Sequence, residues 1–358
     1  MRHRSSTHPK LAHLPAAALA VLLMVPASSA ADPTPVGATT LYPLSTPAHA
    51  LAMTFGPDGN LWFAGVKYGS ESGSELGRVE PTGEVTEFPL PATKSYFYGA
   101  RSITAGPDGA LWFTDQRSNT VGRITTNGEI SQFRLPTPAS GPNAIVTGAD
   151  GNLWFTEQRA GKIGRITTTG SITEFALRPG RRPAGITVGP DGNLWFAQNA
   201  KAAIGRITTA GSIKRFPLPN PKSRPRAIVA AADGNLWFTE GRANRIGRIT
   251  PAGKITQLRV SAPFGTGAIA TGPGGEIWFT AGYRIARANV GSISHGKLPT
   301  QMSCVDTSCY QPPQALTLGP EGSLWFGTGV EYSDGGGGTA IAVLNGTPGY
   351  VGKFAPAP

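Results

Sequence analysis

Gly189-Pro190-Asp191-Gly192-Asn193-Leu194-Trp195-Phe196 is the stretch that decides the fold, because versions of it recur along the whole chain. They centre on Trp62, Trp112, Trp154, Trp195, Trp237, Trp278 and Trp325, which are all seven tryptophans among the 358 residues. The spacings are 50, 42, 41, 42, 41 and 47, so the chain is a sevenfold repeat with a unit near 42 residues. Self-similarity at that period points to a propeller or a solenoid, and the content of the unit separates the two.

Each unit opens with a short apolar run, such as Gly185-Ile186-Thr187-Val188. An Asp-Gly turn follows, where glycine accepts the positive φ of a tight hairpin. All seven units keep that glycine, at Gly59, Gly109, Gly151, Gly192, Gly234, Gly275 and Gly322. After Leu-Trp-Phe comes a polar loop, then Ile-Gly-Arg-Ile at 163–166, 204–207 and 246–249. A second glycine turn and an alternating run such as Ile172-Thr173-Glu174-Phe175 close the unit. Four short strands and no segment of helical period describe a propeller blade. The expectation is an all-β, seven-bladed β-propeller of four-stranded antiparallel blades.

The ends read differently. Arg2, Arg4 and Lys10 precede an apolar run of 11 residues, Pro15 to Val25, and the small residues Ala27 to Ala31. This predicts a signal peptide over 1–30, since a membrane span needs about 20 apolar residues. A linker over 31–39 and a propeller over 40–358 follow, with no membrane span in the mature chain. The product is expected to be secreted and monomeric. Thr40-Leu41-Tyr42-Pro43-Leu44 and Tyr350-Val351-Gly352-Lys353-Phe354 both resemble a fourth strand, which gives eight candidates for seven places. The N-terminal one is expected to take the place and bury an otherwise open edge.

The formal net charge is +11, and removal of the leader lowers it by three. Arg78, Arg123, Arg165, Arg206, Arg248 and Arg287 hold the same third-strand position in six units, so the repeat spreads them around a ring. No nucleic-acid motif accompanies them, and no nucleic-acid partner is expected. These arginines read as side chains whose stems pack and whose heads pair locally.

Blade topology puts the glycine turns on one face and the variable loops on the other. Insertions fall in units 7, 1 and 2, on the variable face, where binding concentrates. Six of the eight tyrosines belong to its loops: Tyr68, Tyr96, Tyr98, Tyr283, Tyr310 and Tyr332. Of these, Tyr98, Tyr283 and Tyr310 are candidate ligand contacts, beside the plainer reading that amphipathic rings cap blade ends. Cys304 and Cys309, the only cysteines, are expected to form a disulfide in an exported protein; two thiols are too few for a metal site.

The residue before each first strand should face the mouth of the central channel. In order these are His49, Arg101, Asn143, Ala184, Arg226, Gly267 and Gln314. Arg101, Asn143, Arg226 and Gln314 are candidate contacts to a polar or anionic group, though a wet channel mouth tolerates polar residues in any case. Outside the leader only His49 and His295 remain, which excludes a histidine-rich metal site and a Ser-His-Asp triad in this funnel. Asp115, Glu157 and Glu240, at second-strand ends, could offer oxygen to a divalent ion, but their recurrence follows the repeat.

Gly-Pro-Asp-Gly-Asn-Leu-Trp-Phe at 189–196 and Ile-Gly-Arg-Ile-Thr-Thr-Thr-Gly at 163–170 resemble the repeat of the virginiamycin B (streptogramin) lyase family. The likeness runs from residue 40 to about 354 and is most specific in units 2 to 5. It implies a seven-bladed propeller and a Mg²⁺-assisted elimination that opens the lactone of a cyclic depsipeptide. It further implies catalytic histidines before the first strands of the last two units, where this chain carries Gly267 and Gln314. His49 is then the candidate general base. Two functions follow as expectations. One is a lyase acting on a small lactone or cyclic peptide. The other is a non-catalytic secreted propeller that recognises an extracellular polymer, a peptide, glycan or cell-wall component, through its tyrosine-rich loop face.

Overall fold

In the computed structural model, the residues described are 39–43, 48–67, 73–90, 99–241, 244–260, 266–272, 274–282, 284–288, 300–304, 315–319, 323–331 and 337–344. The chain divides into two units, Met1–Pro33 and Thr34–Pro358, and every described residue belongs to the second. The leader, Tyr350 to Phe354 and all six loop tyrosines lie outside the described residues. So do Gln314 and Cys309, and with Cys309 the expected disulfide.

The regular structure is almost entirely strand, with one short 3₁₀ turn at Asn199–Lys201. β1 spans Thr39–Pro43. The first blade follows as β2 (Ala48–Phe55), β3 (Leu61–Lys67), β4 (Gly73–Val79) and β5 (Val85–Pro89). The second is β6 (Ala100–Ala105), β7 (Leu111–Asp115), β8 (Thr120–Ile124) and β9 (Ile130–Arg134). The third is β10 (Pro142–Thr147), β11 (Leu153–Glu157), β12 (Lys162–Ile166) and β13 (Ile172–Ala176). The fourth is β14 (Pro183–Val188), β15 (Leu194–Gln198), β16 (Ala203–Ile207) and β17 (Ile213–Pro217). The fifth is β18 (Pro225–Ala230), β19 (Leu236–Glu240), β20 (Arg245–Ile249) and β21 (Ile255–Arg259). The sixth is β22 (Thr266–Thr271), β23 (Ile277–Ala281), β24 (Arg284–Ala288) and β25 (Thr300–Cys304). Last come β26 (Leu316–Leu318), β27 (Leu324–Glu331) and β28 (Gly337–Leu344).

The expected count of seven blades needs correction, while the N-terminal strand takes the closing place as expected. The all-β propeller has six blades built of four consecutive antiparallel strands each. The seventh tryptophan unit supplies only three strands, and its sheet is a composite ordered β1-β28-β27-β26. The physical reason is closure. A chain that runs once around a ring must join its two ends, and β1 zips onto β28 from Thr39↔Leu344 to Pro43↔Ala340. That pairing covers an edge that would otherwise present open backbone groups. β26 in turn contacts both β22 and β2, so the inner strands run around a closed circle.

The repeat folds this way because one turn and one ring pair are copied from unit to unit. In the fourth blade Gly192 adopts φ 72°, its N–H donates to Gly189 O at 3.0 Å, and Gly189 N–H donates to Asn193 O at 2.8 Å. Trp195 and Phe196 then point to opposite faces of the blade, as strand alternation requires, and both are fully buried between blades. Trp195 stacks on Phe216 of its own outer strand at 5.2 Å. Phe196 lies across from Gly205, where any Cβ would overlap the ring. That is why the third strand reads Ile-Gly-Arg-Ile.

The third-strand arginines take the packed role read from the sequence. Arg206 lies 5.5 Å over the Trp195 ring, and its Nη1 reaches Asp191 at 3.3 Å and Pro251 O of the next blade at 3.4 Å. The turn aspartate is the piece that sequence reading did not supply. Asp58, Asp108, Asp150, Asp191 and Asp233 each accept a hydrogen bond from the tryptophan Nε1 four residues later. Burial works against the charge of Asp108, but bonds from Arg123 and Trp112 outweigh it and hold the carboxyl below its usual range.

Candidate functional site

The inner strands are short and begin with a shift of register, as between Pro142 and Ile145 in β10. The first residue still pairs, Pro142 with Glu157, and the residues inside the shift, Asn143 and Ala144, leave the ladder. Together the inner strands line a cavity of about 620 Å³ that draws on the first strand of every blade and of the composite sheet. Arg101, Asn143, Ala184, Arg226 and Gly267, all read from the sequence as channel-mouth positions, meet there. His49 lies in β2 opposite Val66, two residues before Leu51, which lines the cavity.

Four polar lining residues were not singled out from the sequence as site residues: Ser102, Gln158, Asn199 and Arg224. Gln158 and Asn199 immediately follow the ends of β11 and β15. The sequence signal was near. For Gln158 the reading stopped one residue early, at the conspicuous acid Glu157. Arg224 stands two residues before Arg226, and both are exposed.

The acids themselves point into the blades. Asp115 accepts from Arg117 N–H at 2.9 Å and from Ser74 Oγ at 3.4 Å. Glu240 is fully buried, bonded by the Ser223 hydroxyl and by Gln257 Nε2 at 2.6 Å. Glu157 is equally buried, but the outer-strand position that carries Gln257 in the fifth blade carries Glu174 here. Glu174 is taken by Lys162 at 2.6 Å and by the Thr137 hydroxyl at 2.6 Å. Neither Glu157 oxygen has a hydrogen-bond partner among the described residues. Burial foremost, and then the charge of Glu174, push its carboxyl up to about 7. Ser140 and Lys162 offset part of this, although the Ser140 hydroxyl donates to Asn119 Oδ1 at 3.1 Å.

Mg²⁺, which the resemblance implies, does not suit this lining. Hard cations take oxygen ligands, carboxylates above all. The described cavity wall offers three guanidinium groups and three neutral carboxamides, with no carboxylate. Among the described residues no three His, Cys, Asp or Glu side chains gather into a set that could hold a metal ion. What the wall can do is donate: arginine forks and amide N–H groups suit a carbonyl, carboxylate or phosphate oxygen.

Comparison with known proteins fits this architecture. Two segments, residues 22–280 and 179–330, match the model of the virginiamycin B lyase family. A crystal structure of a catalytically inactive histidine-to-alanine virginiamycin B lyase from Staphylococcus aureus, with quinupristin, is 31% identical to the chain. It superposes with a TM-score of 0.74, over 86% of this chain and 99% of that one. The chain belongs to the virginiamycin B lyase family. A streptogramin B lyase structure is similar at 30% identity and TM-score 0.73, covering 86% of this chain and 97% of the other. The WD40 propeller domain of Doa1 shares only the fold, at 12% identity and TM-score 0.65 over 88% of this chain. A comparison with curated proteins gives no match.

Proposed function

We propose that the protein binds a lactone or cyclic depsipeptide in the axial cavity, with Arg101, Asn143 and Arg226 donating to its carbonyl or carboxylate oxygens. The observation that carries this reading is the cavity itself: about 620 Å³, ringed by donors from separate blades. That volume suits a ring-sized ligand or a large part of one. Family membership supplies the ligand class, since the similar staphylococcal structure is described with quinupristin.

Ring opening is a further step, and His49 is the side chain we assign to it as general base. An imidazole has the ordinary pKa range for proton abstraction near neutral pH. No step is routed through a metal. Incubation of quinupristin with wild type and with His49→Ala, with and without added Mg²⁺, tests the assignment. Linearised product from wild type that disappears in the variant supports it; equal turnover in the two, or none in either, removes it.

Gly267 favours a second reading, a secreted binding protein without catalysis. It places no side chain where the family resemblance calls for an imidazole, and a Cβ there would crowd Thr280 Oγ1. Quinupristin bound by wild type and released unchanged is the outcome that selects this reading.

A further inference from the structure

Charge is not spread evenly around the ring. Residues 177–226 carry ten Lys and Arg against one acid, Asp191, which is committed to Trp195 and Arg206 at the turn face. The fourth blade and its two flanking connections therefore form a sector whose opposite face has cations and no carboxylate.

On that face the groups converge. Arg178, Arg181 and Arg182 belong to the connection entering the fourth blade, and Lys201 to its loop between β15 and β16. Arg215 Nη2 donates to Lys201 O at 2.8 Å, which brings the outer strand onto the same loop. Asn199 N–H donates to Arg182 O at 2.9 Å, and Asn199 Nδ2 reaches Pro225 O at 3.5 Å. The Asn199–Lys201 turn thus ties the rim to the axial cavity, where Asn199, Arg224 and Arg226 are part of the wall. Burial, and then the charges of Arg181 and Arg178, draw the Arg215 guanidinium below its usual value, so these cations sense one another. The ion pairs formed among the described residues, Arg78–Glu80, Arg123–Asp108, Lys162–Glu174 and Arg206–Asp191, use none of this set.

The geometry points to a docking track for an acidic polysaccharide, running from the rim of the fourth blade into the axial cavity. Guanidinium forks match carboxylates bidentately, and the carboxamides in the cavity wall match sugar hydroxyls. Single-stranded nucleic acid fits less well, because it is held by stacking on open aromatic rings. The aromatic residues of this segment, Trp195, Phe196 and Phe216, are all buried. This inference shares the cavity wall and Arg226 with the lactone reading, but its rim residues lie outside the cavity and can be tested apart from it.

The test is titration of decagalacturonate into the full protein, with neutral maltodecaose and a single-stranded DNA of equal charge as parallel probes. The triple variant Arg178→Ala/Arg181→Ala/Lys201→Ala removes the rim. Arg178 and Lys201 are exposed and Arg181 is half-buried, so the loss of stability is expected to be small, and an unchanged melting temperature checks that the variant is folded. The expected result is that decagalacturonate binds wild type more tightly than the other two probes and loses about tenfold affinity in the triple variant. Each pair of charges is worth a few tenths to one kcal/mol, and three together come to roughly that factor. Lys254→Ala, which removes an exposed cation from the turn face, should bind like wild type. Undiminished affinity in the triple variant, an equal loss in Lys254→Ala, or preference for the DNA overturns the proposal. Quinupristin binding in the triple variant is read separately, so loss of one ligand does not count against the other.

Discussion

The turn face and the connection face of this propeller use arginine in opposite ways. On the turn face every described copy is engaged. Arg123 Nε donates to Asp108 at 2.6 Å, Arg78 bridges to Thr126 O of the next blade at 3.0 Å, and Arg165 does the same to Thr209 O at 3.2 Å. Their guanidinium groups lie 5.5 to 5.9 Å over tryptophan rings in the first, third, fourth, fifth and sixth blades. On the connection face Arg224 and Arg226 stand exposed at the cavity wall, where no carboxylate is found among the lining residues. The same residue type is mortar on one face and, in the function we propose, recognition surface on the other. What decides is whether the repeat supplies a partner at a fixed offset.

Substitutions on the two faces should therefore separate stability from binding. The largest loss of stability is expected from Trp195→Ala, which empties a fully buried site between blades and costs about 3–5 kcal/mol in urea unfolding. Ligand affinity of the folded fraction should not change; a strong affinity loss would show that the faces are coupled.

Next comes Glu157→Gln, a change of opposite sign. The native carboxyl is raised from 4.5 to about 7, so it favours the folded state below pH 4.5 and loses that contribution as pH rises through 7. The variant should be more stable than wild type at pH 8 by about 3 kcal/mol, with a flatter profile between pH 4.5 and 7. The matching change in the fifth blade, Glu240→Gln, should lose stability instead, by about 1–3 kcal/mol. One of its two acceptor oxygens would become an amide N–H2, so the Gln257 amide and the Ser223 hydroxyl could no longer both donate to it. Equal behaviour of the two variants across pH would contradict the contrast between these blades. Arg206→Ala should cost roughly 1 kcal/mol, from one exposed ion pair and one cation–π contact.

Much of this architecture was legible in the sequence, because the elements that build it are local. The Asp-Gly turns, the Leu-Trp-Phe strands and the third-strand glycines each act within a few residues. The composition of the last sheet was less legible. Pairing of β1 with β28 joins residues about 300 apart; the motif at Thr40 to Leu44 marked the closing strand, but a second candidate at Tyr350 to Phe354 left two strands competing for one place. The site was legible in part. Arg101, Asn143 and Arg226 were found by counting to the start of each inner strand. Gln158 was missed because its neighbour Glu157 drew the reading, and Asn199 and Arg224 because whether a side chain at a strand end turns inward or into the blade depends on register.

The most direct test of the axial cavity as the binding site is calorimetric titration of quinupristin into wild type and the double variant Arg101→Ala/Arg226→Ala, beside their melting curves. The account predicts at least a tenfold loss of affinity at an unchanged melting temperature. Undiminished binding by the double variant would place the ligand elsewhere and contradict the account.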